Sequence, residues 1–492
     1  MGVSLLFSLS SCGNKESALD YVIRAARGGS YTLSKESARQ LDRFNAVYEK
    51  YAIKRKNGDR QLVHFSDAYK RVRVKYVRKV ADDKLIDFAI KGVEDLKAKP
   101  NSLAPPELVE AALDKMLASL DPHSGYLNAI EFLETKVNTK GEFGGLGIQV
   151  TLEKEQIKVI SPIEDTPAFR AGLRSGDLIT RLDGRPIKGH TLYWAVNLMR
   201  GEPGTTIRLT ISRAGKPPFD VAIVRAIIRV KAVRWRVDGD IGYLRVTRFN
   251  DRTLGGVEKA MSGISGTLGG RLKGLVLDLR DNPGGLLDQS VYLADAFLQG
   301  GRIVSVRGRG EKDGNVFNAS PGDLAHGVPM VVLINGGTAS ASEIVASALQ
   351  DRRRAMVMGS RSFGKGSVQT ILPLPVEGAL KLTTQLYYAP SGRAIQANGV
   401  EPDIRLLPAT GKKPADKLKP KRRHESDLPG ALKAVDKAQA QSTRSVKEAN
   451  CPPVIDAKRG GKKDYGLGCA MAFLRAGSTA GFLAAVGANT AM

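Results

Sequence analysis

The sequence predicts an α/β multidomain protein with four parts: a helical N-terminal region, a β-rich domain with two helices, an α/β core and a partly disordered C-terminal tail. Three observations carry that expectation. Two short apolar runs, 274–277 and 331–334, have the length and β-branching of buried strands, and each breaks at a Gly-Gly turn before a helix-like stretch. Ahead of them, apolar residues recur at helical spacing up to residue 120. Beyond residue 409 the chain turns Lys/Pro-rich and then rich in small residues. At 492 residues the chain is long enough for several domains, and 42% apolar content supports a full core.

Taken in order, residues 1–63 read as a leader or extension. The short apolar run Leu5 to Leu9 ends in Leu-Ser-Ser-Cys at Cys12, similar to a bacterial lipobox, and the expected location is exported: periplasmic, or held on the outer side of the inner membrane with a lipid on Cys12. No basic segment precedes the run. Residues 54–60 read as a solvated linker. Residues 64–140 form the helical region, with Phe65, Tyr69, Val72 and Tyr76 on one face, Leu85, Phe88, Ala89 and Val93 on a second helix, and a third over 105–120. His123 reads as a structural turn residue.

Residues 141–230 begin with a glycine-rich stretch, Gly144 to Val150, and later offer a helix over 191–199 with Leu192, Val196 and Met199 on one face. Glycines let successive backbone N–H groups form an anion nest, and an open strand edge accepts a peptide by strand addition. Residues 231–408 form the α/β core. There the strand 274–280 runs into Asp281-Asn282-Pro283-Gly284-Gly285; Asp278 and Asp281 read as polar punctuation at its end. Residues 409–492 read as a basic linker and tail, too broken by Gly, Arg475 and Asn489 for a membrane helix.

Ser340 lies at a strand–turn–helix junction, where neighbouring N–H groups and the helix dipole favour a developing oxyanion. A serine there is also an ordinary N-cap. A nucleophilic serine needs a base, and none of the five histidines stands in a setting that pairs with it. Lys365, between Gly364 and Gly366, can serve if burial disfavours its ammonium form. In strand periodicity Gln369 shares its face, so the amide oxygen could orient the amine.

These residues resemble the carboxyl-terminal processing (tail-specific) proteases, Ser/Lys endopeptidases with an embedded PDZ domain. The resemblance rests on Thr338-Ala339-Ser340-Ala341-Ser342-Glu343-Ile344, on Lys365 and Gln369 at the family's separations, and on Leu120-Asp121-Pro122-His123-Ser124. It spans about Phe65 to Leu407. It implies catalysis by Ser340, Lys365 and Gln369, with oxyanion donors from Gly284 or Gly285 and from Ala341. Residues 141–230 resemble a PDZ domain, with Leu146, Gly147 and Ile148 as the carboxylate-binding loop and Leu192, Val196 and Met199 along the groove. The expected partners are protein substrates with free, apolar C-termini, with an adaptor and a homo-oligomer as further expectations. No metal or other cofactor is expected.

The net charge of +25 would suit nucleic acid, but the cations are dispersed and no nucleic-acid motif accompanies them, so no such role is expected. The competing readings are a non-catalytic PDZ scaffold that binds C-termini without cutting, and a hydrolase using a histidine base. Of three cysteines, Cys451 and Cys469 remain if Cys12 is processed; their spacing leaves both a disulfide and separate thiols open.

Overall fold

A computed structural model describes residues 32–53, 60–153, 155–229, 231–310, 314–408, 424–434, 444–456 and 461–487. Cys12 and the linker at 54–59 lie outside the described residues. The chain divides into two compact units, one made of residues 134–234 and 250–256, the other of the remainder.

In the larger unit, helices Arg60–Lys75, Asp82–Glu94 and Pro105–Ala118 arise from the expected apolar stripes, while Lys35–Tyr51, within the residues expected as leader or extension, adds a fourth helix that buries Phe44 and Tyr48 in the same core. Phe65, Tyr69, Val72 and Tyr76 are all buried, and Phe65 stacks on Phe44 at 3.6 Å between ring centroids. Each such side chain contributes roughly 1.5–3 kcal/mol on burial. These helices do not form a domain of their own. Their apolar faces share one core with Leu372, Leu380, Leu382 and Leu386, from strands Ser367–Pro373 and Ala379–Tyr388. Those two strands pair antiparallel and belong to a five-stranded sheet with Gly125–Leu127, Gly301–Arg307 and Gly314–Ala319.

Among the described residues, the second sheet of this unit has seven strands. Its order is Val233–Asp238, Ile241–Val246, Gly274–Asp278, Met330–Ile334, Met356–Gly359, Ile404–Leu407 and Arg444–Lys447. From Ile241–Val246 onward every neighbouring pair is parallel. Met330–Ile334 is buried at every residue, as a parallel strand covered on both faces must be. Val331 and Leu333 meet the C-terminal helices Tyr465–Ala476 and Thr479–Ala485 in one cluster with Leu467, Met471 and Phe482.

Two expectations change here. Residues beyond 408 were expected as linker and tail, yet Arg444–Lys447 extends the sheet and Tyr465–Ala476 covers one face of it. That helix is fastened by a Cys451–Cys469 disulfide. Asp278 is not punctuation: fully buried, it accepts from the Tyr243 hydroxyl at 2.8 Å and from Arg245 and Arg280. Arg280 continues to Asp464, which caps the Tyr465–Ala476 helix. The two guanidiniums hold the Asp278 carboxyl down near 2 against the upward pull of burial. Buried charge at a strand end needs such partners: Arg280 lies two residues on, and Arg245 and Tyr243 reach it from the neighbouring strand.

The smaller unit has its own sheet, Ile148–Glu153, Gln156–Pro162, Leu178–Leu182, Thr206–Ser212 and Phe219–Val224, with the short strand Arg185–Pro186 alongside Leu178–Leu182. Its core gathers Leu146, Ile157, Val159, Ile179, Leu182, Ala195, Met199, Ile207 and Leu209. Ile148–Glu153 is an edge strand of that sheet.

Candidate active site

The buried strand Met330–Ile334 ends at the turn 335–339, and the helix Ala341–Asp351 starts one residue later. Thr338 closes that turn: its hydroxyl donates to the Leu279 carbonyl at 2.8 Å and accepts the Asn335 N–H. Residues 341–350 are buried all round, because helix Leu287–Asp295 packs against this helix as well as the sheets.

Ser340 occupies φ +56°, ψ −120°, a region that non-glycine residues rarely adopt. Its hydroxyl makes no capping hydrogen bond; the Glu343 N–H goes to the Ser340 carbonyl at 2.7 Å instead. The reciprocal half of the cap is present, since the Glu343 carboxylate accepts the Ser340 N–H at 2.7 Å.

Glu343 reaches further. Fully buried, its carboxylate also accepts the Lys365 N–H at 2.9 Å, the Gly364 N–H at 2.7 Å and the Ser362 hydroxyl. One carboxylate thus ties the backbone of Ser340 to that of Lys365, 25 residues on. A second tie comes from the buried Tyr387 hydroxyl, which donates to the Ser340 carbonyl at 3.0 Å and also contacts the Lys365 carbonyl. Burial pushes the Glu343 carboxyl up to about 7, with the four donors acting against it. Among the described residues the Lys365 amine makes no hydrogen bond. Burial lowers its pKa to about 8, helped by Lys381 and opposed by Glu425, Asp121 and Glu343.

The Gly284-Gly285 turn lies against Ser340. A β-carbon on Gly284, at φ +97°, would sit 2.8 Å from Ser340 Cβ and 2.9 Å from the Ala341 nitrogen. The two glycines, alternatives in the sequence, separate here. The Gly284 N–H donates to Asn282 Oδ1 at 2.9 Å, whereas no bond is made by the N–H of Gly285 or of Ala341 among the described residues.

Gln369 stands opposite Thr383 in the strand Ser367–Pro373, beside a one-residue register shift that leaves Thr384 of the partner strand unpaired in the ladder. Its amide nitrogen donates to Ser367 Oγ at 3.0 Å and Thr383 Oγ1 at 3.2 Å. Thr383 passes the contact on to Asp121 Oδ1 at 3.1 Å, and Asp121 also accepts from His123 and Ser124. None of the five histidines hydrogen-bonds to Ser340. His64 meets Tyr126, His123 meets Glu425, His190 stacks on Trp194, His326 sits in a turn and His424 contacts the Ser362 carbonyl.

In the smaller unit the Leu146 carbonyl accepts from Ala168 and the Gly147 carbonyl from Ile163, while the N–H groups of Leu146 and Gly147 make no bond among the described residues. Gly147 is at φ +82° with Thr166 packed where a β-carbon would stand. Ile148 opens the edge strand. The expected groove face divides: Leu192 and Val196 are half-buried, but Met199 is 5% exposed and packs with Ala195 in the core.

Residues 240–406 match the model of peptidase family S41, and residues 144–219 match that of a PDZ domain. A carboxy-terminal-processing protease of Bartonella bacilliformis is 53% identical over 350 residues, covering 71% of this chain and 75% of that one. The chain belongs to peptidase family S41. It is a carboxy-terminal-processing serine protease that carries a PDZ domain. A probable CtpA-like serine protease of Staphylococcus haemolyticus is 35% identical, covering 66% of this chain and 64% of its own. Among solved structures, the photosystem II D1 C-terminal processing protease is 29% identical over 71% of this chain and 93% of its own, with a TM-score of 0.45. The family resemblance and the fold class expected from the sequence are borne out. The rival of a scaffold that binds without cutting gives way to the enzyme.

Three residues at this candidate site were not singled out in the sequence. Glu343 was part of the motif, and Ser-x-x-Glu at a helix start is a capping signature, but its reach to Lys365 is tertiary. Asn282, holding the Gly284 amide, carried the weaker signal of its place beside the Gly-Gly turn. Tyr387 carried none, being one aromatic in a strand.

Proposed function

We propose that this S41 protease is an exported endopeptidase that takes C-terminal tails with apolar last residues through its PDZ domain and cuts by a Ser340/Lys365 dyad. The observation that carries the reading is the double tie between the Ser340 and Lys365 backbones, through Glu343 and Tyr387, that leaves the serine hydroxyl uncapped. Neutral Lys365 takes the hydroxyl proton as Ser340 Oγ attacks the scissile carbonyl, and returns it to the leaving amine. Water then attacks the acyl-enzyme with Lys365 again as base. The N–H groups of Ala341 and Gly285 stabilise the oxyanion. Gln369 is a positioning residue that holds Thr383, and through it Asp121, one of the carboxylates that face Lys365.

The tail carboxylate binds the N–H groups at Leu146, Gly147 and Ile148, and its apolar side chains lie along Leu192 and Val196, with Met199 backing the helix from the core. The Cys451–Cys469 disulfide supports an oxidising compartment, hence export. No described helix is long and apolar enough to cross a membrane.

The test is cleavage of an unfolded protein with an apolar tail by wild type, Ser340→Ala and Lys365→Ala. Loss in both variants, by at least about 10²–10⁴-fold, is expected. Full activity in Lys365→Ala would sink the dyad.

A further inference from the structure

The segment 424–434 carries a fully buried carboxylate, Glu425, that the dyad does not use. It lies beyond the Ile404–Leu407 strand, yet it packs directly on the loop that bears Lys365. The Glu425 N–H donates to the Phe363 carbonyl at 3.0 Å, and His424 Nδ1 lies 3.1 Å from the Ser362 carbonyl. The Glu425 side chain divides its two oxygens. Oε1 accepts from Gln396 Nε2 at 3.0 Å, and Oε2 pairs with His123 Nε2 at 2.7 Å. Gln396 uses its other end to accept the Gly366 N–H at 2.9 Å, and it also donates to the Leu432 carbonyl. Leu432 is buried in the core that the N-terminal helices share with the catalytic-loop strands.

Two buried carboxylates therefore hold one loop by different backbone groups. Glu343 takes the N–H groups of Gly364 and Lys365; Glu425 takes the Phe363 carbonyl through its own amide and the Gly366 N–H through Gln396. The fit is close on this side too, since a β-carbon on Gly366 would stand 2.2 Å from the Gln396 backbone nitrogen. His123 belongs to the same turn as Asp121, so the Glu425–His123 contact joins the 424–434 segment to the Asp121–Thr383–Gln369 chain.

We propose that Glu425 is a positioning residue for the reaction: with His123 and Gln396 it braces the Lys365 loop and sets the charge that the lysine amine faces. The proposal rests on Lys365 being the base. The groups that face the amine are Glu425, Asp121 and Glu343 on the acidic side and Lys381 on the basic side. Those that face Glu425 are His123, Lys365 and Tyr387. Removing the Glu425 charge takes away one influence that favours the ammonium form, so the base becomes neutral at lower pH.

The experiment is a pH profile of kcat and KM for tail cleavage by the full chain as wild type, Glu425→Gln and His123→Ala. Glu425→Gln is expected to lower kcat about tenfold or more at its own optimum, with KM within twofold, and to move the acid limb of kcat to lower pH. An unmoved limb with an unchanged kcat would overturn the proposal. So would an unmoved limb with a loss that tracks thermal destabilisation, which a merely structural carboxylate would produce. If Glu425→Gln does not fold, His123→Ala decides, because it removes one contact at a part-exposed side chain. It should speed hydrogen exchange of the Gly364, Lys365 and Gly366 amides and lower kcat, and unchanged exchange and kcat would refute the brace. Lys365→Ala is run alongside: full activity there refutes the dyad itself, a failure distinct from that of Glu425.

Discussion

At the scale of single residues, the proposed dyad depends on a lysine held where its charge is disfavoured. Lys365 titrates near 8 in the fold against 10.5 for the ordinary side chain. Between those values the unfolded chain binds a proton that the folded chain lacks, so this group's contribution to stability rises with pH across the window and is least favourable below 8. Lys365→Met, similar in length and uncharged, should therefore abolish cleavage while stabilising the protein at pH 7 by roughly 1–3 kcal/mol. Denaturant melts at pH 7 and at pH 10 check this, since the difference should shrink at the higher pH. Glu343 is poised differently, with four donors converging on its two oxygens. Glu343→Gln places an amide NH₂ against at least one pair of those donors. Its expected cost is about 1–3 kcal/mol of stability, with a fall in kcat of at least tenfold measured on the same substrate.

At the scale of elements, the proposed catalytic geometry comes from two Gly-containing turns at the ends of neighbouring parallel strands, Gly274–Asp278 and Met330–Ile334. They are stitched together by the Ala339 N–H and the Ser342 hydroxyl, both donating to the Asn282 carbonyl, at 2.9 and 3.0 Å. Gly284→Ala would force a β-carbon into Ser340 and the Ala341 amide at a backbone angle that alanine disfavours. The expected result is a loss of kcat of about 10²-fold or more, with tail-peptide binding by the PDZ domain unchanged in a direct binding assay. How much of this was legible follows element by element. The strand–turn–helix junctions, the helical stripes of the N-terminal region and the PDZ loop could be read from apolar period and glycine placement. The partners of Gln369 could not, because its bonds to Ser367 and Thr383 depend on pairing across the sheet, where the register shifts by one residue. Nor could the depth of Met199 be read, since how far a helix side chain is buried is settled by what packs on it.

For the whole molecule, the C-terminal residues are part of the catalytic sheet's support. The helix Tyr465–Ala476 covers one face of the seven-stranded sheet and is held there by the Cys451–Cys469 disulfide and by Asp464 on Arg280. Cys451→Ser with Cys469→Ser should lower unfolding free energy by about 2–4 kcal/mol, as should a reducing agent on the wild type, and thermal melts with and without reductant check it. Reductant that leaves the melting temperature unchanged would mean the disulfide contributes nothing to the fold.

The sequence alone determined the family, the order of its parts and the identity of the residues proposed for the chemistry, because each is written in short motifs whose physics is local: a serine before a helix, a lysine between glycines, a glycine-rich loop before an edge strand. Only the tertiary structure decided which groups hold those residues in place. Glu343 and Tyr387 bind the two ends of a 25-residue interval, Asn282 engages one glycine amide and leaves the next, and Glu425 reaches the lysine loop from beyond the expected end of the core. Buried polar groups must find partners wherever the fold brings them, and separation along the chain places no limit on where those partners come from.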